Sequence, residues 1–390
     1  MPSKKLLKEI FIISIITFTF LLGIETLFRL YKVFITRNNS NKYKTEKFYR
    51  DLGKAFDNYY SEKEIKVIDK QTRTNIIFVP WIQLGNPELN TKYSVVQNGI
   101  RKTYESNNNN CKNNLNIWFF GGSTMFGTGT PWQDSIPSNV SKIMKMKNVC
   151  IKAINFGVPS HTLEVEIKNF TNRIYKKGEN TPDYVIFMDG VNDIARPGAL
   201  IRGEPTNTPL IRESLIKTKK NESYKFKFPV KIELELVNYL RRKYKESNIF
   251  YRNHEIPHGY NENQLPEIYV NKFSNSKNFL NKFCKTFDTK CLMFLQPISY
   301  LSYPNFRKDE LTKTCPGGFY EERYKSIYSA LEKKVYEENK FKNINSFSLV
   351  SVFKNYQNGI PYVDCAHYSP RGSKIIAEQI TAKIFSLMEN

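Results

Sequence analysis

Histidine is scarce in this chain, with four in 390 residues. Few side chains are therefore available for proton transfer near neutral pH. Internal repeats are absent, which excludes a solenoid or propeller built from copied units. Acidic residues are outnumbered, 37 Asp and Glu against 59 Lys and Arg, for a formal net charge of +22. No segment concentrates that charge, because Lys and Asn recur in loops, tails and helices alike. A nucleic-acid binder gathers its charge on one face or in one stretch, so nucleic acid is not expected as a partner. A general compositional bias accounts for the lysines, with attraction to anionic lipid or acidic glycan as its functional counterpart. At 40 % hydrophobic residues, the chain is long enough for one sizeable core and short enough for a single elaborated domain.

Small residues are missing where a cleaved leader needs them. The apolar run from Ile10 to Ile24, extended past Glu25 to Arg29, follows Lys4, Lys5 and Lys8. Its roughly twenty residues suffice for a helix across about 30 Å of hydrocarbon. The run ends in Glu-Thr-Leu-Phe-Arg rather than a cleavage site, which favours an uncleaved transmembrane anchor. Glu25 lies near the end of the run, within reach of the interface. Arg29, Lys32, Arg37 and Lys42 balance the lysines on the other side, so charge alone favours neither orientation. The six cysteines say more. Cys111 and Cys150 each precede an apolar strand-like run, Cys284 and Cys291 are close in sequence, and Cys315 and Cys365 remain. Three such pairs, Cys111–Cys150 among them, suit an oxidising compartment. The expectation is a single-pass membrane protein whose main domain lies outside the cytoplasm. Residues 1–36 form tail and anchor, 37–112 a stalk and N-terminal extension, and 113–390 the main domain.

Within that domain, four short apolar runs end in glycine or polar residues: Leu115–Phe120, Ile151–Phe156, Tyr184–Met188 and Leu292–Leu295. Such runs suit buried parallel strands. Helix-compatible segments such as 135–147 and 163–177 lie between them, so the pattern predicts an α/β fold with a central parallel sheet and helices on both faces. Ligands bind beyond the carboxyl ends of such strands, and those ends carry Ser123, Gly157 and Asn192. Upstream, 76–104 alternates strand and turn. Residues about 195 to 265, with Pro197, Pro205, Pro209 and Pro229, break the alternation and form an insertion. It reads as a covering lid, or as a contact with membrane or substrate. Ser373 to Met388 reads as the closing helix.

Ser123 stands in Phe-Phe-Gly-Gly-Ser-Thr-Met-Phe-Gly, where glycines permit a tight turn that exposes a side chain. The nucleophile elbow of the α/β-hydrolases needs glycine two positions after the serine, and Met125 stands there. A serine nucleophile also needs a base with an orienting partner. Asp364, three residues before His367 in Tyr-Val-Asp-Cys-Ala-His-Tyr-Ser-Pro, is spaced to hold Nδ1 and leave Nε2 for Ser123. The backbone N–H of Gly157 and the amide of Asn192 are candidate oxyanion donors. The sequence His254-Glu255-Ile256-Pro257-His258 spells a zinc-protease pattern. That pattern requires a continuous helix, which Pro257 disfavours. His161 reads equally as a site-rim residue or a surface histidine at a helix start. No metal or cofactor is called for.

The ordered blocks Gly-Gly-Ser, Asn-Phe-Gly, Gly-Val-Asn-Asp and Asp-x-x-His, spread over about 113–388, resemble the SGNH hydrolase family, the GDSL-type lipases and esterases. The resemblance implies a three-layer flavodoxin-like sandwich. It also implies Ser123 as nucleophile, Asp364 and His367 as orienter and base, and Gly157 and Asn192 as oxyanion donors beside the Ser123 N–H. The family's first block often reads Gly-Asp-Ser, and here glycine replaces the aspartate. Membrane-anchored relatives point to an acyl-ester substrate, with O-acetylated envelope or surface glycan preferred. An O-acyltransferase using the same residues and a non-catalytic glycan-binding module are the alternatives.

Overall fold

The structure, a computed structural model, describes residues 46–57, 59–73, 76–105, 114–177, 181–201, 256–306, 319–340, 345–357 and 359–389, with shorter stretches inside 11–30 and 308–315. Most of the expected insertion, Cys111 and the first half of the His-Glu-x-x-His sequence lie outside the described residues.

Two compact units divide the chain. One comprises Met1–Lys47 and Lys220–Tyr251, and its described residues are helical. Within it Arg29 Nε donates to Glu25 Oε1 at 2.8 Å, one turn back. Among the described residues no helix is long and apolar enough to cross a membrane. The anchor expected over 10–29 falls partly outside them.

The other unit, Phe48–Lys219 with Arg252–Asn390, carries everything below except the first two residues of the first helix. In chain order, its elements begin with α1 (Glu46–Ala55) and α2 (Glu62–Thr72), then β1 (Ile77–Val79) and β2 (Gln83–Gly85). Next come β3 (Leu89–Asn90), β4 (Val95–Gln97), β5 (Ile100–Arg101), β6 (Asn114–Gly121), α3 (Ser123–Phe126) and α4 (Ile136–Met146). They continue with β7 (Cys150–Asn155), α5 (Leu163–Lys177), β8 (Tyr184–Asp189) and α6 (Val191–Ile194). The last are α7 (Leu265–Thr286), β9 (Lys290–Leu295), α8 (Phe319–Lys340), β10 (Ser346–Ser348) and α9 (Pro370–Met388).

The main sheet has the order β10-β9-β8-β6-β7-β5-β4-β3. The first five strands are parallel, and their order is the doubly wound arrangement of flavodoxin-like folds. The other three are antiparallel, so the wholly parallel sheet expected from the apolar runs is corrected to a mixed one. The added strands come from 89–101, a stretch read as extension. They are too short and too polar to show the continuous apolar run of a buried parallel strand.

The parallel strands are apolar on both faces because both faces are covered. In β6, Trp118 and Phe120 point into a core with Phe156, Phe170 and Phe187, while Ile117 and Phe119 join Val140, Ile186, Met188 and Ile380 on the other face. Helices α5, α7 and α8 cover the first core and α4 and α9 the second. Phe120 stacks on Phe156 and Phe187 at ring separations of 5.0 and 5.3 Å. The α1–α2 pair buries Leu52, Phe56, Ile65 and Ile68 against Tyr93, Leu311 and Val363. This third cluster therefore touches the loop that leads to His367.

Disulfides join Cys284 to Cys291 across the α7–β9 turn and Cys315 to Cys365. Cys150 is also disulfide-bonded.

Candidate active site

Chain reversal at the end of β6 presents Ser123 as a half-buried side chain. Gly121 and Gly122 bring the chain over the sheet edge, and α3 starts at Ser123 as a single turn closed by Gly127 in the left-handed region (φ 90°). Phe126 N–H already bonds Gly122 O. The N–H groups of Ser123, Thr124 and Met125 precede the first intrahelical bond and have no acceptor within the turn.

His367 lies in the loop before α9. Asp364 shapes that loop: its Oδ1 accepts the N–H groups of Ala366 at 3.0 Å and His367 at 2.9 Å. The same carboxylate faces His367 Nδ1 at 2.8 and 2.9 Å. Nδ1 therefore carries the ring proton, and Nε2 accepts from the Ser123 hydroxyl at 2.8 Å. Serine, imidazole and carboxylate stand in an unbroken chain although 244 residues separate Ser123 from His367.

Burial alone would raise the Asp364 pKa. The adjoining His367 and the Arg73 guanidinium outweigh it and hold this carboxyl well below the ordinary carboxylate range. Arg73, just past α2, donates from Nη2 to Asp364 Oδ2 at 2.9 Å and from Nε to the buried Asp69 at 2.7 Å. Further bonds fix the loop. Cys365 is tied to Cys315 and its carbonyl accepts from Ser299 Oγ at 2.6 Å. Thr130 Oγ1 donates to Tyr368 O at 2.8 Å.

Asn192 lies in α6. Its Nδ2 donates to His161 O at 2.7 Å, and a Cβ placed on Gly122 would overlap that same nitrogen. The amide thus sits directly against the residue before Ser123, with one N–H beyond the His161 bond. Its helix is held by Tyr269 and Tyr324, whose hydroxyls donate to Asp193 O at 2.8 Å and Val191 O at 3.0 Å. Behind it, burial pushes the Asp193 carboxyl up to about 6 and carries those of Glu166 and Asp189 well above their ordinary range.

Gly157 packs so tightly on α3 that an added Cβ would stand 2.8 Å from Met125 C and overlap Phe126 N. Its N–H donates to Asn155 Oδ1 at 2.9 Å, while Asn155 Nδ2 donates to Met125 O at 2.9 Å. In this structure the expected Gly157 donor is thus bonded within the protein. His161 is neither rim nor surface. It is fully buried, its Nε2 donates to Leu84 O at 2.8 Å, and burial pushes its pKa down to about 4, leaving it neutral. Ile256–Tyr260, which holds the second half of the His-Glu-x-x-His sequence, is not helical.

The structure thus brings Ser123, Asp364 and His367 into direct contact and sets Asn192 and Gly157 against the same turn. Sequence reasoning missed Arg73 and Asn155. Asn155 stood inside the Asn-Phe-Gly block, where only the glycine drew attention. Arg73 gave no local signal, being 291 residues from its partner.

Comparison with known proteins gives the family. The family model described as GDSL-like Lipase/Acylhydrolase matches residues 117–380. The chain belongs to that family, and it is a serine ester hydrolase by class. No curated protein matches it. Among solved structures, the acetyl xylan esterase AlAXEase is 13 % identical, with 69 % of this chain and 100 % of that one covered at a TM-score of 0.39. The lipase/acylhydrolase from Enterococcus faecalis is 15 % identical, with 69 % and 95 % covered at 0.35. A variant of an acetyl-xylooligosaccharide esterase from Geobacillus Stearmophilus is 13 % identical, with 69 % and 94 % covered at 0.35.

The Arg73 contact makes a prediction. Arg73→Gln takes an ion pair and a hydrogen bond from the carboxylate that orients His367, so kcat on an activated acetate ester is expected to fall severalfold with Tm little changed. An unchanged kcat would mean that Arg73 is only a structural brace.

Proposed function

We propose that Ser123 is the nucleophile of an acyl-ester hydrolase that acts outside the cytoplasm on O-acetylated envelope or surface glycan. The observation that carries the catalytic part is the bonded series Ser123 Oγ, His367 Nε2, His367 Nδ1 and Asp364. Ser123 Oγ attacks the acyl carbonyl carbon as its proton passes to His367 Nε2. The tetrahedral oxyanion forms against the Ser123 N–H and the remaining Asn192 amide hydrogen. Gly157 joins that set when its N–H leaves Asn155 Oδ1. His367 then protonates the leaving alcohol, and water, deprotonated by the same imidazole, releases the acyl group. Asp364 keeps the ring oriented and stabilises its charged form.

The disulfides support an oxidising compartment, and the apolar run 10–29 supports a membrane anchor. The test uses the full chain. A fluorophosphonate probe is expected to label the wild type and not Ser123→Ala, and O-acetylated glycans are expected to release acetate. Absence of labelling in folded wild type would remove the enzyme reading. Transfer of acetyl to an added sugar acceptor in preference to water would redirect it to an O-acyltransferase.

A further inference from the structure

The hairpin of β1 and β2 stands apart from the main sheet as its own two-stranded unit. Its strands pair Ile77 with Gly85, Phe78 with Leu84 and Val79 with Gln83, so Pro80, Trp81 and Ile82 form the tip. That tip is built from two successive three-residue turns. Ile82 N–H donates to Pro80 O at 3.0 Å and Leu84 N–H to Ile82 O at 2.7 Å. The residues at the centres of these turns, Trp81 and Gln83, have φ of 75° and 66°. Left-handed backbone at a bulky residue is a true outlier, and this turn is a strained one. Such strain persists where something over-determines it, commonly at ligand clamps. Packing does not hold Trp81, whose surface is 75 % exposed.

The base of the hairpin is fastened to the acyl site. Leu84 O accepts from His161, the residue whose carbonyl takes the Asn192 amide. Two residues on, Asn86 Nδ2 donates to Gly157 O at 2.9 Å and to Gly99 O at 3.2 Å. The loop after β7, which carries Gly157 and takes the Asn192 amide on His161 O, is therefore bonded twice to the stretch that leads to Trp81. Three residues of extended chain place the tip no more than about 11 Å from Leu84. An indole offers a flat apolar face for the C–H side of a sugar ring and an N–H for one of its hydroxyls.

We infer that Trp81 is the substrate platform: a pyranose ring of the acylated glycan stacks on its indole while the ester reaches Ser123. This rests on the glycan reading above. The strained turn sets the ring outward, ahead of the ligand, and the His161 and Asn86 bonds keep the platform in register with the oxyanion donors.

Trp81→Gly is the informative variant, because glycine adopts the observed φ without strain and removes only the ring. The full chain is assayed on O-acetylated xylooligosaccharides, O-acetylated glucomannan and 4-nitrophenyl acetate. The selectivity ratio, kcat/KM on the oligosaccharide over kcat/KM on the small ester, is expected to fall at least tenfold, chiefly through KM. Trp81→Phe should restore most of it, and the Tm of Trp81→Gly should equal or exceed that of wild type. A ratio that does not change, or a parallel loss on both esters, overturns the platform. Wild type that hydrolyses 4-nitrophenyl acetate and none of the glycans overturns the glycan reading and the platform with it, whereas glycan cleavage with an unchanged ratio leaves that reading standing and sinks the platform alone.

Discussion

His367→Ala is expected to lower kcat on an activated acetate ester by roughly 10⁴-fold or more, with Tm close to wild type. Among the described residues the imidazole is the one side chain that bridges Ser123 and Asp364. Without it the serine hydroxyl has no acceptor for its proton and the carboxylate has nothing to orient. The ring is also only partly buried, with 19 % of its side chain exposed, so truncation leaves no large cavity in either core. Ser123→Ala should cost about as much. The double variant should cost no more than either single one, because residues that act as a unit lose their effect together. Additive losses in steady-state kinetics would mean that Ser123 and His367 work independently, and the bonded series would then be incidental. Asp364→Asn is expected to lower kcat strongly as well, and it leaves Arg73 facing an uncharged amide. A His367→Ala enzyme with more than a tenth of wild-type kcat would end the proposal.

The parts of this molecule legible in the sequence are those with short-range physical causes. The strands β6, β7, β8 and β9 announce themselves because burial on both faces demands continuous apolar runs. Ser123, Gly157 and Asn192 follow from their places at strand ends, and Asp364 and His367 from a three-residue spacing that a local turn can satisfy. What was not legible depends on contacts between distant segments. Strands β3 to β5 are two or three residues long, and only pairing shows that they extend the sheet. Arg73 is a lysine-rich chain's ordinary surface cation until the fold of α1 and α2 carries it to Asp364. Asn155 is an ordinary polar residue until β7 and α3 come together around it. His161 illustrates the opposite error. Its position before a helix suggests exposure, yet it is fully buried and its Nε2 is tethered to Leu84 O of the β1–β2 hairpin.

Introducing the family's aspartate, Gly122→Asp, is expected to impair this enzyme, lowering kcat by roughly 10²- to 10³-fold, the loss typical of removing one oxyanion donor. The obstacle is space, not backbone hand. Gly122 has φ of −75°, a value open to any residue. Its Cβ direction, however, is filled by Asn192 Nδ2, with His161 O at 3.4 Å and Asn192 Cγ at 3.5 Å beside it. Asn192 is held from behind by its bond to His161 O, and His161 is itself buried and tethered to Leu84. The amide therefore cannot retreat without breaking that series. A side chain at 122 displaces Asn192 from the Ser123 turn, and the glycine and the close amide are one adaptation. Gly122→Ala should produce most of the same loss, since the Cβ does the damage. Asn192→Ala should match it, and combining Asn192→Ala with Gly122→Ala should add little, because the space that the methyl needs has then been vacated. Thermal melts separate this from unfolding: Gly122→Ala with an unchanged fold and a reduced kcat is the expected pairing. Full activity in Gly122→Asp would show that Asn192 works from another position, and it would remove the amide from the oxyanion set.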